Sequence, residues 1–176
     1  MLSARFRALR SPHRGSQQFS YELREQLAKI TDYLYLCSNA AAQQTSKLRR
    51  LRITAEVNVT PHLPYSDLCI DKMRIAVSDI SSVKISRYFV DFINFVDSVR
   101  RENGRVVVYC ECGVSRSATL CMVYLMAAER MSLYDAYVHI KLIRGIINPN
   151  IGFWQQLVEY EERKRGENSI RLECTY

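Results

Sequence analysis

The chain has 176 residues, 48% apolar and 24% charged, and 25 Lys and Arg against 18 Asp and Glu give a net charge of +7. That describes a single globular domain able to bury roughly 70% of the surface its unfolded chain exposes, and it excludes disordered, collagenous and repeat architectures. The longest apolar stretch, Leu120 to Ala128, falls far short of what a membrane-spanning helix needs.

Residues 1–18 carry Arg5, Arg7, Arg10 and Arg14 and no acid. Pro12 and Gly15 interrupt any long helix there, so the segment reads as a flexible basic head. The competing reading is a mitochondrial presequence, with Leu2, Phe6 and Leu9 on one helical face. Ile30 to Cys37 is rich in β-formers and predicts a strand. Ala40 to Arg52 has helical composition, and its basic end suits a helix C-terminus. Ile53 to Val59 alternates apolar and polar as a strand does, and Pro61 and Pro64 mark a loop. Met73 to Val77 reads as a short strand. Ser86 to Arg101 carries a helical stripe of Phe89, Phe92, Ile93, Val96 and Val99, ended by Asn103 and Gly104. Arg105 to Tyr109 is a compact apolar strand fit for the centre of a sheet. Three helices follow: Ser115 to Arg130, Ser132 to Arg144 with Ser132 as N-cap and Asp135 three residues on, and Asn150 to Arg165. Strands alternating with helices predict an α/β fold, a sheet with helices on both faces.

The six cysteines stand at 37, 69, 110, 112, 121 and 174. The N-terminus lacks the apolar core of a secretory signal, so the chain reads as intracellular with reduced thiols. Cys37, Cys69, Cys121 and Cys174 read as structural. A zinc site is disfavoured because His13, His62 and His139 are not spaced as partners of the cysteines. Outside the head the positive charge is modest and scattered, which excludes a nucleic-acid groove and suits an enzyme with anionic substrates. The run Arg49 to Arg52 reads as a solvated face, with docking of acidic partners as the alternative. His139, Tyr134, Tyr137 and Trp154 read as packing or surface residues.

The informative stretch is RVVVYCECGVSRSAT, residues 105–119. A strand ends, a tight loop runs from Cys110 to Arg116, and a helix begins. Such a junction cradles anions, because loop amides and the helix N-terminus turn toward the ligand, and Gly113 frees the backbone to turn. Glu111, Cys112, Gly113, Val114, Ser115 and Arg116 are the expected phosphate-binding positions. An ordinary cysteine is only about 3% thiolate at pH 7, and amides, helix dipole and guanidinium all favour the anion. Arg116 offers a planar fork for two phosphoryl oxygens, which lysine lacks. Ser117 can give its hydroxyl to the sulfur as it leaves. A two-step transfer also needs a general acid and base. Asp67, Asp71, Asp79 and Asp91 compete, and Asp79 is best placed, just past the strand at 73–77.

These residues resemble the active site of the cysteine-dependent protein tyrosine phosphatases, in particular the small, atypical dual-specificity protein phosphatases. The likeness extends from about Ile30 to Leu172 through MRIAVSD, CECGVSRSAT, CMVYLM, MSLYDA, INPNIGFWQQL and RGENSI. It implies a central mixed, largely parallel sheet with helices on both faces. It implies hydrolysis of phosphotyrosine and phosphoserine or phosphothreonine in proteins through a phosphocysteine, with no metal or other cofactor. Cys110 would be the nucleophile, Arg116 the clamp, Ser117 the leaving-group helper and Asp79 the acid. Residues 19–165 would form the catalytic domain and 166–176 a tail. The implied partners are phosphorylated proteins, signalling kinases among them, in the cytoplasm and also the nucleus.

Three departures stand out. Tyr109 replaces the usual histidine before the nucleophile, and losing that hydrogen bond costs about 1 kcal/mol, which predicts a weakened enzyme. Arg144-Gly145 replaces Arg-Pro, which loosens a turn without touching chemistry. Cys112 sits inside the loop, inert or able to trap an oxidised Cys110. The alternative function is a weakly active or inactive phosphoprotein-binding module on the same scaffold. Glu111 and Val114, where basic residues would mark a phosphatase of RNA ends or phosphoinositides, disfavour that reading.

Overall fold

Three consecutive valines, 106–108, favour a strand buried on both faces, since β-branched side chains on either side of the pleat demand apolar neighbours. The computed structural model describes residues 25–68 and 70–172. In it the strands are β1 (Ala28–Lys29), β2 (Leu34–Ser38), β3 (Ala55–Asn58), β4 (Asp71–Arg74) and β5 (Val106–Cys110). They form a five-stranded sheet in the order β1-β2-β5-β3-β4, so the valine strand lies at its centre. Every pairing is parallel except β1 with β2. The mixed, largely parallel sheet is therefore present.

The helices are α1 (Asn39–Ala42), α2 (Thr45–Arg50), α3 (Phe89–Arg101), α4 (Arg116–Ala128), α5 (Leu133–Ile143) and α6 (Ile151–Arg165). They divide between the two faces as the strand alternation dictates. Val106, Val108 and Cys110 face the large core under α3 to α6. Val107 and Tyr109 face a smaller core with Tyr35, Cys37, Leu48 and Leu68. Helix α4 is apolar nearly all round and buried from Arg116 to Met126, as a helix without a solvent face must be. Among the described residues no helix is long and apolar enough to cross a membrane.

Several boundaries differ from expectation. Ile30 to Cys37 is not one strand: Thr31 Oγ1 accepts hydrogen bonds from the amides of Tyr33 (3.3 Å) and Leu34 (3.0 Å) and closes a turn between β1 and β2. The helix expected over Ala40 to Arg52 breaks at Gln43 and Gln44 into α1 and α2. The strand expected at Met73 to Val77 begins two residues earlier and ends three earlier, at Asp71–Arg74. Ile85–Tyr88 forms a 3-10 turn leading into α3. Ser132 caps α5, its Oγ accepting from the Asp135 amide at 3.0 Å, as the spacing predicts. The basic head at 1–18, its presequence alternative, Cys69 and Cys174 lie outside the described residues.

Candidate active site

Strand β5 delivers Cys110 to the C-terminal edge of the sheet, where the side chain is 1% exposed. Ser117, one residue into α4, donates its hydroxyl to Cys110 Sγ at 3.1 Å. Between them the loop at 111–115 is tied back from outside by its carbonyls. Glu111 O accepts from the Asn39 amide (3.2 Å) and Val114 O from the Asn148 amide (2.9 Å). Arg144, fully buried, donates through Nε to Gly113 O (2.9 Å) and through Nη2 to Cys112 O (3.1 Å). Ser115 O accepts from the Thr119 amide and hydroxyl, both at 2.9 Å. A peptide plane whose C=O points out turns its N–H inward. The amides of 112–115 therefore point away from those partners, and among the described residues no protein group accepts from them.

Gly113 is required twice over. Its φ is +65°, and a Cβ there would lie 2.3 Å from the carbonyl oxygen of Cys37 in the neighbouring strand. Close approach of the loop to β2 and the left-handed backbone are one device.

Arg116 opens α4 and is 6% exposed. Its Nη1 donates to Val77 O at 3.3 Å, Nη2 lies 3.7 Å from Glu111 Oε2, and Nε lies 3.7 Å from Asp79 Oδ2. Nε is buried without a hydrogen-bond partner among the described residues. A buried guanidinium donor left open in this way is unfavourable until an acceptor arrives.

Asp79 overhangs the loop. Its Oδ1 accepts from Ser115 Oγ and Asn150 Nδ2, both at 2.7 Å. Asn150 uses its other end to cap α6, Oδ1 accepting from the Phe153 amide at 3.0 Å. Asp67, Asp71 and Asp91, the competing acids, are exposed and hold no hydrogen bond to the loop. The structure thus brings Cys110, Arg116, Ser117 and Asp79 together with the loop positions 111–115.

Tyr109 is displaced from the role its position suggests. Strand alternation turns it to the opposite face, where its hydroxyl donates to Glu56 Oε2 (3.1 Å). Glu56 is itself buried and accepts from the Ser66 amide and hydroxyl, with Lys72 Nζ 3.6 Å away. The reading of Arg144-Gly145 as remote from chemistry needs correction. Gly145 has room for a side chain, its nearest neighbour being the Lys141 carbonyl oxygen 3.9 Å from a Cβ, but Arg144 holds two carbonyls of the cradle. Arg144 and Asn150 are the residues that sequence reasoning missed. The NPN run before α6 carried a signal for Asn150 as a cap, but the burial of Arg144 has none in the local pattern.

Cys112 is exposed and free, and Cys37 and Cys121 are buried and free. Burial pushes the thiols of Cys37 and Cys121 well above their ordinary range. His139 Nε2 hydrogen-bonds Ile30 O at 2.8 Å, and Trp154 packs edge-on to Tyr137 with centroids 5.1 Å apart. Both lie away from the cradle. Among the described residues no cluster of His, Cys, Asp or Glu is arranged to hold a metal ion.

The family model "Dual specificity phosphatase, catalytic domain" matches residues 34–163. Human dual specificity protein phosphatase 18 is 37% identical over 149 residues, covering 83% of this chain and 78% of that protein. Among solved structures, human DUSP28 matches with a TM-score of 0.77 at 31% identity, covering 79% of this chain and 95% of that one. The human tyrosine phosphatase-like serine/threonine/tyrosine-interacting protein matches with a TM-score of 0.75 at 26% identity, covering 80% and 99%.

Proposed function

The chain belongs to the dual specificity phosphatase family, and from that premise we propose that it hydrolyses phosphotyrosine and phosphoserine or phosphothreonine in proteins by two displacements at Cys110. In the first, Cys110 Sγ attacks phosphorus while the loop amides and Arg116 hold the equatorial oxygens. The P–O bond to the substrate breaks, and Asp79 gives its proton to the departing oxygen. In the second, the Asp79 carboxylate takes a proton from water and the resulting hydroxide attacks phosphorus. The S–P bond breaks, Ser117 donates to the leaving sulfur, and inorganic phosphate departs. Residues 19–165 make up the catalytic domain in this reading, and the substrates are phosphorylated proteins, signalling kinases among them. The free thiols of Cys37, Cys110, Cys112 and Cys121 suit the cytoplasm or nucleus.

One observation supports the reading: Ser117 donates to Cys110 Sγ at the start of a loop whose amides at 112–115 are unpartnered among the described residues, and Arg116, which closes that loop, keeps a buried Nε without a hydrogen-bond partner. The test is turnover of a small aryl phosphate between pH 5 and 8. Cys110→Ser should abolish it, and Asp79→Asn should lower kcat by about 100-fold or more. Turnover that survives Cys110→Ser would sink the mechanism.

A second reading, a phosphoprotein-binding module, is favoured by Tyr109. Its hydroxyl serves Glu56 and the Pro64 carbonyl instead of the loop, and one structural relative is described as phosphatase-like and interacting. If the wild type matches Cys110→Ser and only Tyr109→His gains turnover, the binding reading replaces the enzymatic one.

A further inference from the structure

Two contacts lock the Asp79 segment to the start of α6. Asp79 is bonded to the Asn150 side chain at 2.7 Å. Two residues further along both segments, Gly152 lies so tightly against Ser81 that a Cβ there would sit 1.8 Å from the Ser81 carbonyl oxygen. Between these two contacts stand Ile80 and Ile151, 54% and 57% exposed. One exposed isoleucine is ordinary on a protein surface. Here two stand on segments held in register, each next in sequence to a residue of the site, and this exposed pair is an apolar step.

Local stability does not account for either residue. Ile151 occupies the first position of α6, where acidic residues favour the helix dipole and a β-branched apolar side chain gains nothing. Ile80 buries less than half its surface. The other large exposed hydrophobics, Val90, Tyr134 and Leu142, lie on α3 and α5, outside these two segments.

The occupant follows from the depth of the site. Cys110 is 1% exposed, and Asp79 is bonded to Ser115 of the same loop at 2.7 Å, so a phosphorylated side chain that reaches the sulfur enters beside the Asp79–Asn150 pair. Its own backbone then crosses the rim, and a neighbouring side chain comes down beside that pair. We infer that Ile80 and Ile151 bind an apolar side chain flanking the phosphoresidue, so that the protein selects phosphorylated segments with Leu, Ile, Met or Phe at that flank. The inference rests on the proposed function above, in which this site takes a phosphorylated protein side chain.

The test compares pairs of phosphotyrosine peptides that differ only in one flanking residue, Leu against Ser, on either side of the phosphoresidue. Each kcat/KM is normalised to the same protein's turnover of a small aryl phosphate, which corrects for any disturbance of Asp79 or Asn150. The wild type should prefer the leucine peptide on one side by about fivefold, the effect of burying roughly 40 Å² of apolar surface, with most of the difference in KM. In Ile80→Asn/Ile151→Asn the ratio should fall to about one. A wild-type ratio of one on both sides, or a preference that survives the double substitution, overturns the inference while leaving the phosphatase reading intact. If the aryl phosphate is not turned over, the phosphatase reading fails. The same peptides are then titrated by fluorescence anisotropy against Cys110→Ser, where equal affinities overturn the step and a fivefold preference upholds it. Light scattering that finds a dimer dissolved by the double substitution assigns the step to a second copy and overturns it as well.

Discussion

Arg144 is the largest fully buried side chain among the described residues, and it faces backbone carbonyls. Burial lowers the proton affinity of its guanidinium, an effect that the neighbouring thiols partly offset. Its planar fork meets the Gly113 and Cys112 carbonyls at once, which the single point charge of lysine cannot do. Arg144→Lys should therefore lower kcat/KM about 10- to 100-fold and weaken competition by inorganic phosphate, with the far-ultraviolet circular dichroism unchanged. An unaltered inhibition constant for phosphate would refute the role. Tyr109→Phe makes a different prediction. It leaves the buried Glu56 carboxylate short of a donor, so stability in urea should drop by about 1–3 kcal/mol. At this scale, type and spacing in the sequence pointed to Cys110, Arg116, Ser117 and Asp79, which the structure brings close together. Arg144 and Asn150 were hidden because they act on partners far along the chain, through a carbonyl or a carboxylate that no local pattern announces.

At the scale of elements, the strand, loop and helix around Cys110 were readable because a valine run, a glycine and an apolar helix follow one another without interruption. The strand before Asp79 begins two residues and ends three residues earlier than its apolar pattern suggests. Its apolar residues Ile75 and Val77 point to the core after regular pairing has ended, so apolar pattern and strand do not coincide. That departure carries Val77 O to Arg116 and Asp79 to the loop. The fit of this segment against α6 is testable. Gly152→Ala suits a helix better than glycine does, but its Cβ would collide with the Ser81 carbonyl. We predict a loss of about tenfold or more in kcat from a displaced Asp79, read against the unchanged affinity of Cys110→Ser/Gly152→Ala for inorganic phosphate. Asn150→Asp separates two functions of one side chain. The cap on α6 is kept, so the melting temperature should hold within a few degrees. The donor to Asp79 is lost and a like charge takes its place, so kcat should fall about tenfold. A lowered melting temperature with unchanged kcat would reverse the assignment.

The whole molecule keeps several weak acids out of water. Burial raises the thiols of Cys37 and Cys121, and burial raises the hydroxyls of Tyr109, helped by the Glu56 charge, and of Tyr124, helped by its bond to Asp97. In the unfolded chain thiols ionise near pH 8.5 and tyrosines near pH 10. Above those values the unfolded chain releases protons that the folded state retains. Stability present at neutral pH is therefore lost as pH rises, by about 1.4 kcal/mol per unit for each thiol, and more steeply once the tyrosines join. Urea melts at pH 7.5 and 9.5 should differ by about 2–3 kcal/mol, and Cys37→Ala/Cys121→Ala should flatten the dependence whatever it does to stability at neutral pH. An equally steep decline in that variant would place the cause elsewhere. The arrangement above Cys110 has one more consequence. In the proposed reaction the phosphate is met by main-chain amides of a loop whose carbonyls the scaffold already holds, so the side chains of Cys112 and Val114 have no part in that duty. In that reading mutation can rewrite both without dismantling the cradle, so a lineage can explore new targets here while the reaction itself is inherited intact.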